Sequence, residues 1–348
     1  MYTVRRFSKK QMFNWTLKDI IFFTLVSTLS VAVFFFFDLR WMVIPTLPIS
    51  LLGTAVAFNV GFKNNNAYDR SWEARKIYGG IVNSSRTMGV MTLDFISNLF
   101  NDSTALTDSE LYSIKKRIIY RHIAWLTALR YQLRAHKPWE HHEHKDVTKH
   151  KAKNGNYIAE QTIPLSKAIS EFLSPEEKDD VLSRANAATS LLKNQSRDIT
   201  NLRNSKLMDD FRYIEFKNII EEFYTLQGKN ERIKNFPLPR QYASVSYYFV
   251  MLFVLLIPFA ILNFFVPNSD SEAIKWSVWL AVPMSVAVQW VFFTMEKTGD
   301  YSENPYEGIF NDIPITALSK TIEIDLRDML DESDLPKAIA PWNDTVLT

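Results

Sequence analysis

Four stretches without a single charged residue constrain this chain more than anything else in it: residues 20–37, 41–62, 241–267 and 276–295. They run for 18, 22, 27 and 20 residues in a chain that is 22% charged. A bilayer core takes about 20 predominantly apolar residues per helix, and a charge at its centre costs at least about 3 kcal/mol. Runs this long and this aromatic exceed what a buried helix of a soluble protein needs. They read as two membrane hairpins flanking one polar block, 63–240. The expected fold is an all-α membrane protein with four transmembrane helices plus a large cytosolic helical region. Its expected divisions are an N-terminal arm with the first hairpin (1–62), the cytosolic helices (63–240), the second hairpin (241–295) and a cytosolic C-terminal segment (296–348).

Lysine and arginine placement sets the orientation. Basic residues gather before the first run (Arg5, Arg6, Lys9, Lys10, Lys18), after the second (Lys63, Arg70, Arg75, Lys76) and before the third (Lys229, Arg232, Lys234, Arg240). The hairpin connections 38–40 and 268–275 carry one positive charge each. Both termini and the polar block are therefore expected in the cytoplasm. No cleavable leader is expected, because Phe34, Phe35, Phe36, Phe37 and Asp38 stand where a small-residue cleavage site would follow the first run. The chain has no cysteine, which excludes disulfides, thiolate catalysis and cysteine-held metals. A net charge of +2 gives no reason to expect nucleic acid as a partner.

The polar block reads as helices. Thr107 and Glu110 make a capping box that starts a helix running to about Leu133. Ser174, Pro175, Glu176 and Glu177 start another, expected to run to about Leu192, with a further helix reaching about Leu226. The apolar pattern of the second run is followed by a polar helical pattern over 67–99. Within that run Pro45, Pro48, Gly53 and Gly61 are unusual for a plain anchor, since proline frees backbone groups that protein or water must satisfy.

No catalytic motif is present: no phosphate-binding glycine loop, no His-Glu-x-x-His, no serine elbow. No catalytic residue and no cofactor is expected. All six histidines fall between His122 and His150, with His136, His141, His142 and His144 crowded into one stretch. Proline and lysines around them point to a solvated loop rather than a preorganised metal site. In the second run Thr54, Phe58 and Phe62 are four apart, so they share one narrow helical stripe. Lipid-facing packing explains that stripe as well as a pore does.

The segment Tyr68-Asp-Arg-Ser-Trp-Glu-Ala-Arg-Lys-Ile-Tyr-Gly-Gly80, with Glu303-Asn-Pro-Tyr-Glu-Gly308 and Thr321-Ile-Glu-Ile-Asp325, resembles the signature of bacterial bestrophins. The resemblance covers roughly residues 5–330. It implies a homopentameric ion channel of the bacterial inner membrane, with the bilayer, other copies of the chain and permeant monovalent ions as its partners. It also implies a hydrophobic neck on the second membrane helix, which counting back from Arg70 places at Thr54, Phe58 and Phe62. Thr54 departs from the family's fully apolar pattern. A cytosolic constriction is implied near Phe211, where Asp209 and Asp210 can form a carboxylate ring or simply pair with Lys206 and Arg212. The resemblance gives Asp69, Arg70, Trp72, Glu73 and Arg75 a structural role rather than ion binding. Animal bestrophins bind calcium through an acid-rich run; here only Asn304 and Asp312 fit positions of that clasp, and Ile309 and Phe310 stand where acids should be. Tight calcium gating is therefore not expected. The family label is a chloride channel, while the acidic exit leaves cation conduction open. A rival reading from a different class is a membrane-anchored scaffold or sensor with little conduction, suggested by the size and charge of 63–240.

Overall fold

Each charge-free run lies mostly in a helix, and two of the four helices, those of the first and second runs, extend well beyond it. In the computed structural model, which describes residues 1–100, 105–141, 158–265, 276–342 and 345–348, four helical segments are long and apolar enough to cross a membrane. The connection 268–275 lies outside the described residues. Helix α1 (Lys9–Phe37) starts eleven residues before its apolar run because Ser8 caps it: Gln11 N donates to Ser8 Oγ at 3.1 Å and Ser8 N to Gln11 Oε1 at 3.0 Å. Helix α2 (Thr46–Phe95) is 50 residues long. At 1.5 Å per residue that is about 75 Å, far more than a roughly 30 Å bilayer core. The second run and the polar pattern after it are thus one element. Pro45 precedes this helix and Pro48 sits in its first turn, where backbone N–H groups have no helical partner in any case. The two prolines therefore leave no freed backbone group inside the span.

The polar block is more finely divided than its sequence suggests. Helix α3 (Asp108–Arg134) carries the expected capping box at Thr107. Helix α4 (Pro175–Leu182) begins at the Ser174 cap but stops ten residues short of Leu192. Asn186 restarts the chain as α5 (Ala187–Asn204) by accepting from Thr189 N at 3.0 Å. A second break follows, where Lys206 adopts a left-handed φ of 56° and Leu207 N bonds Leu202 O at 3.0 Å. Asp209 then caps α6 (Asp210–Asn235), nine residues longer than expected. Helices α7 (Arg240–Phe265), α8 (Ala281–Asp300) and α9 (Ile315–Asp328) are the remaining long helices among the described residues, which also hold single turns at Ala159–Thr162 and Leu165–Ala168. Among the described residues there is no strand, only isolated bridges of Val346 with Tyr2 and Trp342.

The chain divides into two compact units. One, Val4–Arg70 with Pro237–Glu303, holds both membrane hairpins. Phe23, Val56, Val60, Phe253, Val254 and Ile257 form its main core. A side chain at Gly53 would meet the Phe253 ring at 2.8 Å, so that glycine permits the close approach of α2 and α7. Pro258 inside α7 cannot donate to Val254 O four residues back. Gln289 of α8 supplies the missing donor at 2.8 Å, and its Oε1 accepts from Ser27 Oγ of α1 at 3.0 Å. In lipid no water would satisfy these groups, so one glutamine ties three helices together.

The other unit, Met1–Thr3, Ser71–Phe236 and Asn304–Thr348, is built around α3. Its core includes Ile118, Trp125, Leu129, Leu191, Phe216 and Phe223. Trp125 Nε1 donates to Gln227 Oε1 at 2.9 Å, and Arg121 joins Glu177 (2.6 Å) and Asp198 (2.7 Å). Each buried polar group named here finds a partner, which is what makes its burial tolerable.

Candidate pore-lining site

Helix α2 has two faces within the membrane unit. Val56, Val60, Lys63 and Ala67 are buried, while Thr54, Phe58 and Phe62 are exposed. Phe58 is 69% and Phe62 55% exposed, and their rings meet edge to face with centroids 4.5 Å apart. Leu47 and Leu51 extend the exposed stripe toward the helix start. Sequence reasoning missed them because the four-residue spacing steps back from Thr54 to Ser50, whereas Leu51 joins the face three residues before Thr54 and Leu47 four before that. The Thr54 hydroxyl donates to Ser50 O at 3.0 Å. Its proton is thus spent on the helix's own backbone, which makes this position less polar than the residue type implies.

The signature residues fall on both sides of the unit boundary. Asp69 and Arg70 end the part of α2 in the membrane unit; Trp72, Glu73 and Arg75 belong to the α3-centred unit. Glu73 meets Arg232 of α6 at 2.5 Å, tying α2 to α6 within that unit. Trp72 and Arg75 are exposed.

Phe211, in the first turn of α6, is 83% exposed. Its acidic neighbours are already engaged. Asp209 caps α6 by accepting from Arg212 N at 2.8 Å, and the Arg212 side chain lies 3.9 Å away. Asp210 pairs with Arg203 at 2.7 Å, and that guanidinium holds its carboxyl below the usual range. The partners are therefore Arg203 and Arg212, not Lys206 and Arg212.

The loop after α8 holds Asn304 and Asp312, both buried. Asn304 Nδ2 donates to Glu307 Oε1 at 3.0 Å. Asp312 Oδ2 accepts from Gly308 N and from Ile309 N (3.2 Å) and faces Arg134 at 3.3 Å. Burial raises the Asp312 carboxyl to about 6 from 3.8, with Arg134 pulling it down and Glu307 pushing it up. A carboxylate spent on a guanidinium and two backbone N–H groups, beside buried Ile309 and Phe310, is a poor donor set for calcium.

Of the histidines, His122 lies in the α3 core, bonded to Ser85 Oγ at 2.9 Å and stacked on Trp125 and Phe223. Burial lowers it to about 3, so it is neutral at physiological pH. His141 is not solvated as expected: it is buried, with Nδ1 3.0 Å from Glu307 Oε2. His142, His144 and His150 lie outside the described residues. Among the described residues no three histidine or acidic side chains converge as metal ligands.

Comparison with known proteins identifies the family and the fold. The family described as Bacterial/Fungal Bestrophin protein matches residues 1–328. The chain is 25% identical over 297 residues to the voltage-dependent anion channel-forming protein YneE of Escherichia coli (strain K12), covering 84% of this chain and 80% of that protein. It is 26% identical over 298 residues to the similarly named protein RSc3414 of Ralstonia nicotianae, covering 83% and 79%. The crystal structure of a bacterial bestrophin homologue from Klebsiella pneumoniae superposes with a TM-score of 0.72 at 21% identity, over 91% of this chain and 99% of that one. A match over nearly the whole chain, on a helical fold with four helices able to span a membrane, makes this protein a member of the bacterial and fungal bestrophin family.

Proposed function

We propose that this chain is a channel for monovalent ions that assembles as a homopentamer in the bacterial inner membrane, with both termini cytoplasmic. One observation carries the pore: α2 buries one face against α7 and exposes the apolar stripe Leu47, Leu51, Thr54, Phe58 and Phe62 on another. Around a five-fold axis the last three positions form stacked rings, and a narrow apolar ring gates by dewetting. The relatives' names as anion channel-forming proteins support ion conduction. Phe211 is the second constriction, in a ring of its own. Asp69, Arg70, Trp72, Glu73 and Arg75 buttress α2 and contacts between subunits. Purified protein in a planar bilayer tests the reading: single-channel currents are expected, and their absence at every voltage and salt condition would overturn it.

Ion sign follows from the charges around Phe211. Arg203 and Arg212 offset Asp210 and Asp209, so the ring presents little net charge. Asp210→Asn leaves Arg203 uncompensated and is expected to move the reversal potential, in a sodium chloride gradient, toward the chloride equilibrium potential. An unmoved reversal potential would place these carboxylates off the ion path.

Calcium is not the stimulus. Current is expected to be the same in calcium-free and micromolar-calcium solutions, because Asp312 is engaged by Arg134 and the acid-rich run is missing. A several-fold rise on adding calcium would show that the loop binds it tightly after all.

A further inference from the structure

Directly after Phe62, α2 turns a cation into the helical bundle. Lys63 is 3% exposed, and its ammonium meets the carboxylate of Glu296 on α8, also 3% exposed. The other oxygen of Glu296 accepts from Ser246 Oγ of α7 at 2.7 Å, so three helices converge on one carboxylate. Asp300, one turn further along α8, stands 3.7 Å from the same ammonium. The next residue of α2 adds a second tie: Asn64 Nδ2 donates to Met295 O at 3.1 Å. Gly299 completes the contact. A Cβ there would collide with Asn64 Oδ1 and lie 3.5 Å from Lys63 Cγ, so a larger residue would push the Asn64 amide aside.

A buried ion pair is a weak source of stability. Its desolvation cost largely cancels its attraction, and apolar replacements of similar volume are often neutral. What such a pair does supply is a fixed geometry. Adjacent residues of a helix point about 100° apart, so holding Lys63 against Glu296 fixes the direction of Phe62. Turning α2 far enough to move Phe62 stretches the ion pair and the Asn64 bond together.

We propose that Lys63, Glu296 and Ser246 are positioning residues that set the rotation of α2, and through it the width of the Phe62 ring. The proposal rests on the channel reading above and names what controls that neck. It is tested on the full-length purified protein in planar bilayers. Lys63→Met and Glu296→Gln are each expected to change open probability about tenfold, as coupled neighbours do. Ser246→Ala is expected to change it less and in the same direction as Glu296→Gln. The deciding variant is the double replacement Lys63→Met with Glu296→Leu, which removes both charges at once. Its melting temperature and oligomer size are expected to match the parent, while its open probability stays displaced. Lys63→Arg, which keeps the charge, is expected to gate close to the parent. A parent that conducts, with folded variants that all gate identically to it, overturns this inference alone. A parent that carries no current overturns the channel reading and this inference with it.

Discussion

Replacing Phe62 with alanine is expected to raise the open probability of the channel by at least about tenfold, because in the proposed pore the barrier at the neck is the cost of wetting an apolar ring. Transfer of one phenylalanine side chain between water and an apolar surrounding is worth about 1.5–3 kcal/mol, so the proposed ring of five would hold on the order of 10 kcal/mol of such interaction. Only about 1.4 kcal/mol of that, reassigned to favour water in the neck, shifts the closed–open equilibrium tenfold. Phe62 also braces Phe58 through their edge contact at 4.5 Å, so truncation loosens the neighbouring ring as well. Phe58→Ala is expected to act in the same direction, and the pair of substitutions more strongly than either. Phe36 on α1 is just as exposed but lies off the stripe; its replacement by alanine is the control and is expected to leave gating alone. Single-channel recording decides the matter. If Phe62→Ala gates as the parent does, the dewetting role of this ring is wrong.

What the sequence made visible, and what it hid, follows from how far each signal reaches. The four spans were legible because a bilayer imposes a length and a ban on charge that few other environments impose together. The same ban also misled: a run cut at its first charge ends at Phe62 and at Met295, which leaves Lys63 and Glu296 looking like ordinary flanking charges. In the structure they are buried partners on facing helices, a relation between residues 233 positions apart that no local pattern encodes. Gln289 was hidden for the same reason. Its role is to complete the backbone that Pro258 leaves open, and neither residue announces the other. Helix starts were readable where a side chain caps the backbone nearby, at Thr107 and Ser174. Helix ends were not. The stop after Leu182 and the break around Lys206 depend on a restart cap at Asn186 and on a left-handed residue that is not glycine. The stripe Thr54, Phe58 and Phe62 was visible as spacing, but only the burial of the opposite face of α2 gives it a direction.

Arg134→Met will destabilise the protein by about 3–5 kcal/mol near pH 8, the usual cost of leaving one member of a buried ion pair alone. Arg134 and Asp312 face each other at 3.3 Å with side chains 1% and 3% exposed, and Arg134 also donates to Ile313 O at 3.4 Å. The carboxylate it compensates sits near Glu307, which adds like charge. The loss will shrink on acidification. The folded-state value of Asp312 is about 6, above its ordinary 3.8, chiefly because burial disfavours the ionised form. A group raised on folding contributes stability that is complete below its unfolded value and fades as pH climbs through the folded one. In the parent this fading runs from about pH 4 to about pH 6. Without Arg134 the folded-state value rises further, because the charge that pulled it down has gone, so the penalty extends to higher pH and deepens there. At pH 5 the buried acid carries a proton in both proteins, and the variant loses only hydrogen bonds and packing. Thermal melting of the detergent-purified parent and variant at pH 5 and pH 8 is expected to show the wider gap at pH 8. An equal gap at both values would mean that Asp312 does not titrate in this range. Glu307→Gln provides the complementary measurement. Removing the like charge beside Asp312 favours its ionised form, so the pH-dependent part of the Arg134→Met penalty should narrow in the double variant.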